Sequence, residues 1–293
     1  MKKIVIDEGF LQSLERLEML IKNNYAGRFG GNRKSKSFGS SCEFADYRDY
    51  MPGDDISKID WNAYARFDKL YEKLYLDERQ MHTKIYIDAS RSMDYGESGK
   101  AEQAIRLAAA IAYLSVSQMD RVSVYTVKDS SVEEIVTMVG KDAFLSGVGR
   151  LNDIVFSSDS FISDAIMPER VGYGDGMSVI ISDFLTDNDY ERAIDLLADK
   201  RRHTLCLQIL SPEEENPMMR GKVHLFDSEN SERYYRKNID REIARAYREA
   251  VAYVKERIKN YCLSRGADYL FILSNDDLGE IFFNKMVDLG VLK

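Results

Sequence analysis

Two apolar runs in this chain stop at an aspartate, and that punctuation constrains the fold more than any other feature. Ile85, Tyr86 and Ile87 sit within TKIYIDASRSM, Thr83 to Met93, as a β-branched and aromatic run that reads as a buried strand. The run ends at Asp88, and Ser90 and Ser92 then supply hydroxyls at alternate positions. Met177 to Ser182, MSVIIS, is a second such run, and Asp183 follows it. A strand, a small polar loop and then a helix is how open α/β sheets present ligand sites, at the carboxyl ends of their strands. If the two strands are neighbours in a parallel sheet, both carboxylates share one edge.

The rest of the chain alternates in keeping with such a sheet. Ala101 to Val116 is apolar on most faces, as a helix packed on a sheet should be. Strands are expected over 121–127 and 132–139, the latter as a hairpin partner or sheet edge, with a helix over 144–156. A helix over 189–200, strands over 203–210, 222–227 and 269–273, and helices over 239–265 and 277–289 complete the pattern, with an acidic loop at 212–217. Alternating strands and helices predict a mostly parallel α/β sheet with helices on both faces.

The residues before 81 read differently. Phe10, Leu11, Leu14, Leu17, Leu20 and Ile21 recur at three- and four-residue steps and predict an amphipathic helix. Residues 27–41 are Gly/Ser-rich and carry Arg28, Arg33, Lys34 and Lys36, a loop that either contacts phosphate or an acidic partner or is simply solvated. Met51 to Asp54 predicts a turn. Ser57 to Phe67 predicts a short helix burying Ile59, Trp61 and Tyr64, and Leu70 to Leu76 a strand. Asp54, Asp55 and Asp60 need no nuclease chemistry, since a turn and a helix N-terminus account for them. The expected organisation is an extension over 1–80 and a sheet domain over 81–293.

Composition narrows function. A formal charge of −8 argues against nucleic acid as the main partner. Cys42, Cys206 and Cys262 are odd in number and far apart, which is neither a disulfide framework nor a zinc site, and the last two are expected in the core. No run approaches the roughly 20 apolar residues of a membrane span, and MKKIVIDEGF is too short in apolar residues for a signal peptide, so a cytoplasmic protein is expected. His82, His203 and His224 lie far apart without a nucleophile–base pattern, and each is expected as a surface or strand residue.

Asp88, Ser90, Ser92 and Asp183, with one more oxygen from the loop around Ser163-Asp164, suit a hard cation: Mg²⁺, or Mn²⁺ or Ca²⁺. The same spacing is compatible with a helix N-cap cluster.

DASRS after a buried strand resembles the metal-ion-dependent adhesion site (MIDAS) of von Willebrand factor A domains. FADYRDYMPGDDISKIDWNAYAR, then KLYEKLYLDER, IYIDASRSM, VIISDF and RGADYLFILSNDD, resemble the bacterial domain-of-unknown-function family 58 over about residues 25 to 285. The resemblance implies a von Willebrand A-like domain preceded by a family-specific extension. Asp88, Ser90 and Ser92 match its Asp-x-Ser-x-Ser ligands, Asp183 its later aspartate, and Ser163-Asp164 its middle-loop Thr-Asp pair. Members are often encoded beside MoxR-type AAA+ ATPases, which implies such an ATPase as partner, engaged by the metal through an acidic side chain. The expectation is therefore a non-enzymatic interaction module. A metal-assisted phosphatase or hydrolase is the alternative, weakened because Ser90 stands where a haloacid-dehalogenase-like enzyme needs a second aspartate. A scaffold with a vestigial site is the third.

Overall fold

The computed structural model describes residues 5–25, 44–75, 81–94, 97–157, 159–167, 176–185, 190–200, 202–217, 221–226 and 234–286. The chain forms two compact units, a larger one of Met1–Tyr25 with Met81–Lys293 and a smaller one of Ala26–Gln80. The N-terminal helix belongs to the same unit as the sheet. The basic loop 27–41 and Cys42 lie outside the described residues.

That helix, α1 (Glu8–Tyr25), buries Leu14 and Leu17. Glu18, on the same buried stripe, accepts hydrogen bonds from the Tyr113 hydroxyl at 2.9 Å and the Lys141 ammonium at 2.7 Å. Asn152 holds the strand-like entry, accepting from the amides of Val5 and Ile6 and donating to the Ile6 carbonyl. Apolar burial and a paired carboxylate thus fix α1 to residues 95 and 123 positions away.

In the smaller unit, β1 (Phe44–Asp49) pairs antiparallel with β2 (Tyr71–Tyr75), and the first of these strands was not foreseen. Between them lie a 3-10 turn, Ile56–Lys58, and α2 (Trp61–Phe67). The single helix expected over 57–67 breaks because Asp60 is extended and caps α2, accepting from the amides of Asn62 and Ala63. Asp55 accepts from the Ser57 amide in the same way, and Asp54 from the Met51 amide. Asp55 and Asp60 are helix caps, and Asp54 closes the turn and pairs with Arg48. The Tyr47 hydroxyl, donating to Asp60 at 2.8 Å, is the chief cause that holds the Asp60 carboxyl down at about 2. Ile59 is buried as expected, but Trp61 and Tyr64 are not. About two turns of helix turn a single narrow face inward, which Ala63 occupies, so the two rings pack edge to face outside it at 6.2 Å.

The larger unit is built on a six-stranded sheet. Its strands are β3 (His82–Asp88), β4 (Arg121–Lys128), β5 (Ser131–Val139), β6 (Met177–Ser182), β7 (His203–Leu210) and, last in sequence, β10 (Asp268–Leu273). The order across the sheet is β10-β7-β6-β3-β4-β5, all parallel except β5, which pairs antiparallel with β4 at the edge. Helices cover both faces, which is why the strands read as nearly unbroken apolar runs. Tyr86, Ile180, Cys206 and Tyr269 align in register across one face. They join a buried cluster with Ile194 and Leu197 of α6 (Glu191–Asp199) and with Ile258 and Cys262 of α8 (Arg241–Ser264). Ile85, Ile87, Val179, Ile181, Leu205 and Leu207 alternate onto the other face, where all are fully buried. There α3 (Lys100–Ser117) crosses β3, β4, β6 and β7, with α4 (Gly140–Gly147) beside it. Cys206 and Cys262 are core residues, as read.

Several boundaries differ from expectation. The helix expected over 144–156 is α4 followed by a 3-10 stretch, Val148–Asp153. The acidic loop contains a helical turn, α7 (Pro212–Glu215), set by a Ser211–Glu214 capping box and a proline at its start. The strand near 222 is β8 (Gly221–Phe226), which pairs not with the sheet but with an unforeseen β9 (Tyr234–Ile239) as a separate antiparallel ribbon. The two strands fall between β7 and α8, so α8 starts only at Arg241. After β10 the chain forms a single turn, Leu278–Glu280, running into a π-helical stretch, Ile281–Met286, and the end of the expected closing helix lies outside the described residues. Among the described residues no helix is long and apolar enough to cross a membrane.

Leu14 tests the attachment of α1. Leu14→Ala should lower the stability of the larger unit by about 2–5 kcal/mol, read as a shifted urea midpoint with an unchanged slope.

Candidate functional site

Strand order places the site. From β3 the chain proceeds to β4 and β5 on one side, whereas β6, β7 and β10 build outward on the other, so the order reverses between β3 and β6. Loops leaving the carboxyl ends of two such strands diverge and leave a crevice, where doubly wound sheets hold their ligands. Asp88 ends β3 and Asp183 follows β6, with Ile87 and Ile181 as their last registered pair. The expected meeting of the two acids at one edge is what the register produces.

Asp88 is buried and both its oxygens are engaged. Oδ1 accepts from the Ser90 amide at 2.9 Å, an Asx turn that starts the loop, and Oδ2 accepts from the Ser182 hydroxyl of the neighbouring strand at 2.6 Å. Burial pushes the Asp88 carboxyl upward, the Asp183 charge adds to this, and the Ser182 and Ser90 hydrogen bonds oppose it. Two buried carboxylates therefore act on each other directly.

Ser182 also fixes the second loop, because its Oγ accepts from the Phe184 amide at 2.9 Å. Phe184 has φ of +53°, a left-handed backbone that costs a bulky side chain roughly 1–3 kcal/mol. Packing of the buried ring edge to face on Tyr190 offsets that strain. The turn aims Asp183 back toward the crevice. Its carbonyl accepts from Gln208 on β7 at 2.8 Å, and Gln208 in turn accepts from the Tyr269 hydroxyl on β10 at 2.6 Å.

Asp183 is not free. Its Oδ2 lies 2.9 Å from the ammonium of Lys100, the first residue of α3, and its Oδ1 accepts from the Leu185 amide. Lys100 is fully buried and also donates to Glu214 Oε1 at 2.6 Å. Burial alone would pull the Lys100 ammonium down, but the two carboxylates outweigh it and the net direction is upward.

The serines of the loop divide. Ser90 is buried, Ser92 is half-buried, and their hydroxyl oxygens are 3.0 Å apart. Neighbouring ligands at right angles on an ion with 2.0–2.1 Å bonds stand about 2.8–3.0 Å apart, so this pair fits one edge of an octahedron. Ser163 does not join them. Its Oγ accepts from the Ala193 amide at 3.2 Å, capping α6 from outside the helix, while Asp164 is exposed near Arg192. The short helix carrying them, α5 (Ile162–Ala165), turns its third oxygen to α6 instead of the crevice.

A different serine was missed. The loop before α5 hydrogen-bonds to the Asp-x-Ser-x-Ser loop through the Ser157 amide and the Ala89 carbonyl at 3.1 Å, and it pairs with Asp129 on both sides of Ser160. Ser160 is buried, and its hydroxyl has no hydrogen-bond partner. A buried hydroxyl left unpaired is costly unless something not made of protein completes it. Nothing in the linear spacing separates Ser160 from Ser163; only the orphaned oxygen does. Among the described residues no three His, Cys, Asp or Glu side chains converge on one point, so any cation here rests on hydroxyls and at most two carboxylates. The Ser90 and Ser92 hydroxyls beside Asp88 have the spacing such an ion needs, whereas Asp183 is already paired with Lys100.

His82 and His203 begin strands β3 and β7, bonded to Ser123 and Asp268 and remote from these acids, while the His224 side chain lies outside what is described.

A doubly wound sheet with one antiparallel edge strand, bearing Asp-x-Ser-x-Ser at its switch point, defines a von Willebrand A-like domain. The family described as "Protein of unknown function DUF58" matches residues 46–257, and the chain belongs to it. An uncharacterized protein of Mycobacterium tuberculosis is 26% identical over 233 residues, spanning 76% of this chain and 72% of its own length. Among solved structures, the conserved hypothetical protein BatB from Bacteroides thetaiotaomicron is similar with a TM-score of 0.41 at 12% identity, over 72% of this chain and 99% of that one. The SpRpn10 VWA domain is similar with a TM-score of 0.36 at 12% identity, over 71% and 95%.

The two serines separate in metal-free buffer. Ser163→Ala should lose about 1 kcal/mol as a broken helix cap, whereas Ser160→Ala should be neutral or stabilising because it removes an unsatisfied hydroxyl. Urea unfolding of both variants reads the difference.

Proposed function

We propose that this chain is a non-enzymatic protein-interaction module that holds a divalent cation, Mg²⁺ or Mn²⁺, at its Asp-x-Ser-x-Ser loop and meets an acidic side chain of a partner protein there. The observation that carries the reading is the Ser90–Ser92 hydroxyl pair, set 3.0 Å apart beside buried Asp88 with the unpartnered Ser160 hydroxyl in the adjoining loop. Ser90, Ser92 and Ser160 would hold the ion directly, and Asp88 and Asp183 would balance its charge. When bound, such an ion supplies an electrophilic position that a partner's carboxylate can fill. The protein's own part is to keep the hydroxyls in place, through the Asp88–Ser90 turn and the Ser182 clamp, and to exclude water from the acids.

A MoxR-type AAA+ ATPase is the partner that family membership favours, and von Willebrand A-like domains often mediate protein contacts. Hydrolytic chemistry has less support: both Asp88 oxygens already accept hydrogen bonds, and the position two residues on is Ser90. A scaffold with a vestigial site draws on one observation, the pairing of Asp183 with Lys100.

Calorimetric titration with Mg²⁺ and Mn²⁺ tests the reading. A saturable heat is expected in the wild type and its loss in the Ser90→Ala/Ser92→Ala double variant. A flat wild-type titration leaves the scaffold. A MoxR-type ATPase from the same genome should co-purify with the wild type in Mg²⁺ and be lost on adding chelator.

A further inference from the structure

Lys100 is a cation at the crevice that is buried rather than solvated. Its side chain is 0% exposed, its ammonium touches Asp183 and Glu214 at 2.9 Å and 2.6 Å, and Asp183 is itself 3% exposed. A buried ammonium is costly unless paired, and here the pairing is two-sided. Glu214 is held in turn: its second oxygen accepts from the Ser211 amide at 2.8 Å, within the capping box that sets α7. Two carboxylates thus share a single ammonium, and Asp88, whose oxygens are held by the Ser90 amide and the Ser182 hydroxyl, has no part in that pairing.

We propose that Lys100 is the resident counter-cation of this site and sets its affinity for metal by competing for Asp183, with Glu214 regulating that competition by holding the ammonium on its other side. The inference rests on the cation reading of the Asp-x-Ser-x-Ser loop and names what tunes it. When an ion settles at Ser90 and Ser92, Asp183 answers to two cations instead of one. The closer Lys100 stays to Asp183, the weaker the ion is held, and Glu214 draws Lys100 the other way. Lys100 also explains how Asp183 and Glu214 are tolerated close together without an ion, since both pair with it.

The competition predicts opposite signs for two neighbouring substitutions. Lys100→Met keeps the length of the side chain and removes the charge, so Mg²⁺ and Mn²⁺ should bind about tenfold tighter. Glu214→Gln keeps its shape, frees the ammonium for Asp183 alone, and should weaken binding by a comparable factor, roughly five- to tenfold. Calorimetry on the full chain reads both, with the metal-induced rise in melting temperature as a second measure. That rise should be larger than wild type in Lys100→Met and smaller in Glu214→Gln. Should Lys100→Met fail to fold without metal, its recovery on adding Mn²⁺ but not Na⁺ at equal ionic strength supports the proposal, and failure to recover overturns it. Affinities equal to wild type in both variants, or shifted the same way in both, overturn the competition while leaving the metal site standing. No binding in the wild type or in either variant overturns the competition and the metal reading together.

Discussion

Ending two adjacent parallel strands in aspartate brings two carboxylates to one buried edge, and much of the larger unit answers to that constraint. Like charges in a low dielectric repel strongly, so the fold surrounds them with donors: the Ser182 hydroxyl and Ser90 amide on Asp88, the Leu185 amide and Lys100 ammonium on Asp183. The donors come from three segments: the loop after β3, the start of α3, and the end of β6 with the turn after it. The α3 helix must start where it does to deliver Lys100, β6 must pair with β3 in this register to deliver Ser182, and the chain after β7 must turn at Ser211 to bring Glu214. The strained Phe184 backbone belongs to the same account, because relaxing it would swing Asp183 away from its cation.

Much of this was legible in the chain. Buried strands announce themselves by unbroken apolar runs, so β3, β4, β6, β7 and β10 were found, and the acids closing β3 and β6 marked the edge. What sequence could not rank were oxygens close together in one loop. Ser163 and Ser160 are chemically equivalent and three residues apart; which of them faces a helix end and which is left unpaired is decided by tertiary packing alone. Lys100 was hidden for a related reason. A lysine at the start of a helix reads as solvated, and only Asp183 and Glu214, 83 and 114 residues away, bury it.

The misreadings elsewhere share one cause, a local pattern overruled by the size of its setting. Trp61 and Tyr64 have the spacing of a buried helix face, but α2 is seven residues long and turns inward only at Ala63. Residues 234–239, YYRKNI, carry too little aliphatic content to register as strand by themselves, and they become one through the ladder they form with β8.

The attachment of α1 has a consequence for synthesis. Its apolar stripe and Glu18 are made well before Lys141, which closes on Glu18 from 123 residues downstream, with residues 26–80 between them in the sequence. At about 5–20 residues per second, the nascent helix waits roughly 6–25 seconds with Leu14 and Leu17 uncovered before its dock exists. The smaller unit is complete in sequence by then. The helix can therefore be secured only after β3, β4, β5 and Lys141 have been made, although it precedes all of them in the sequence.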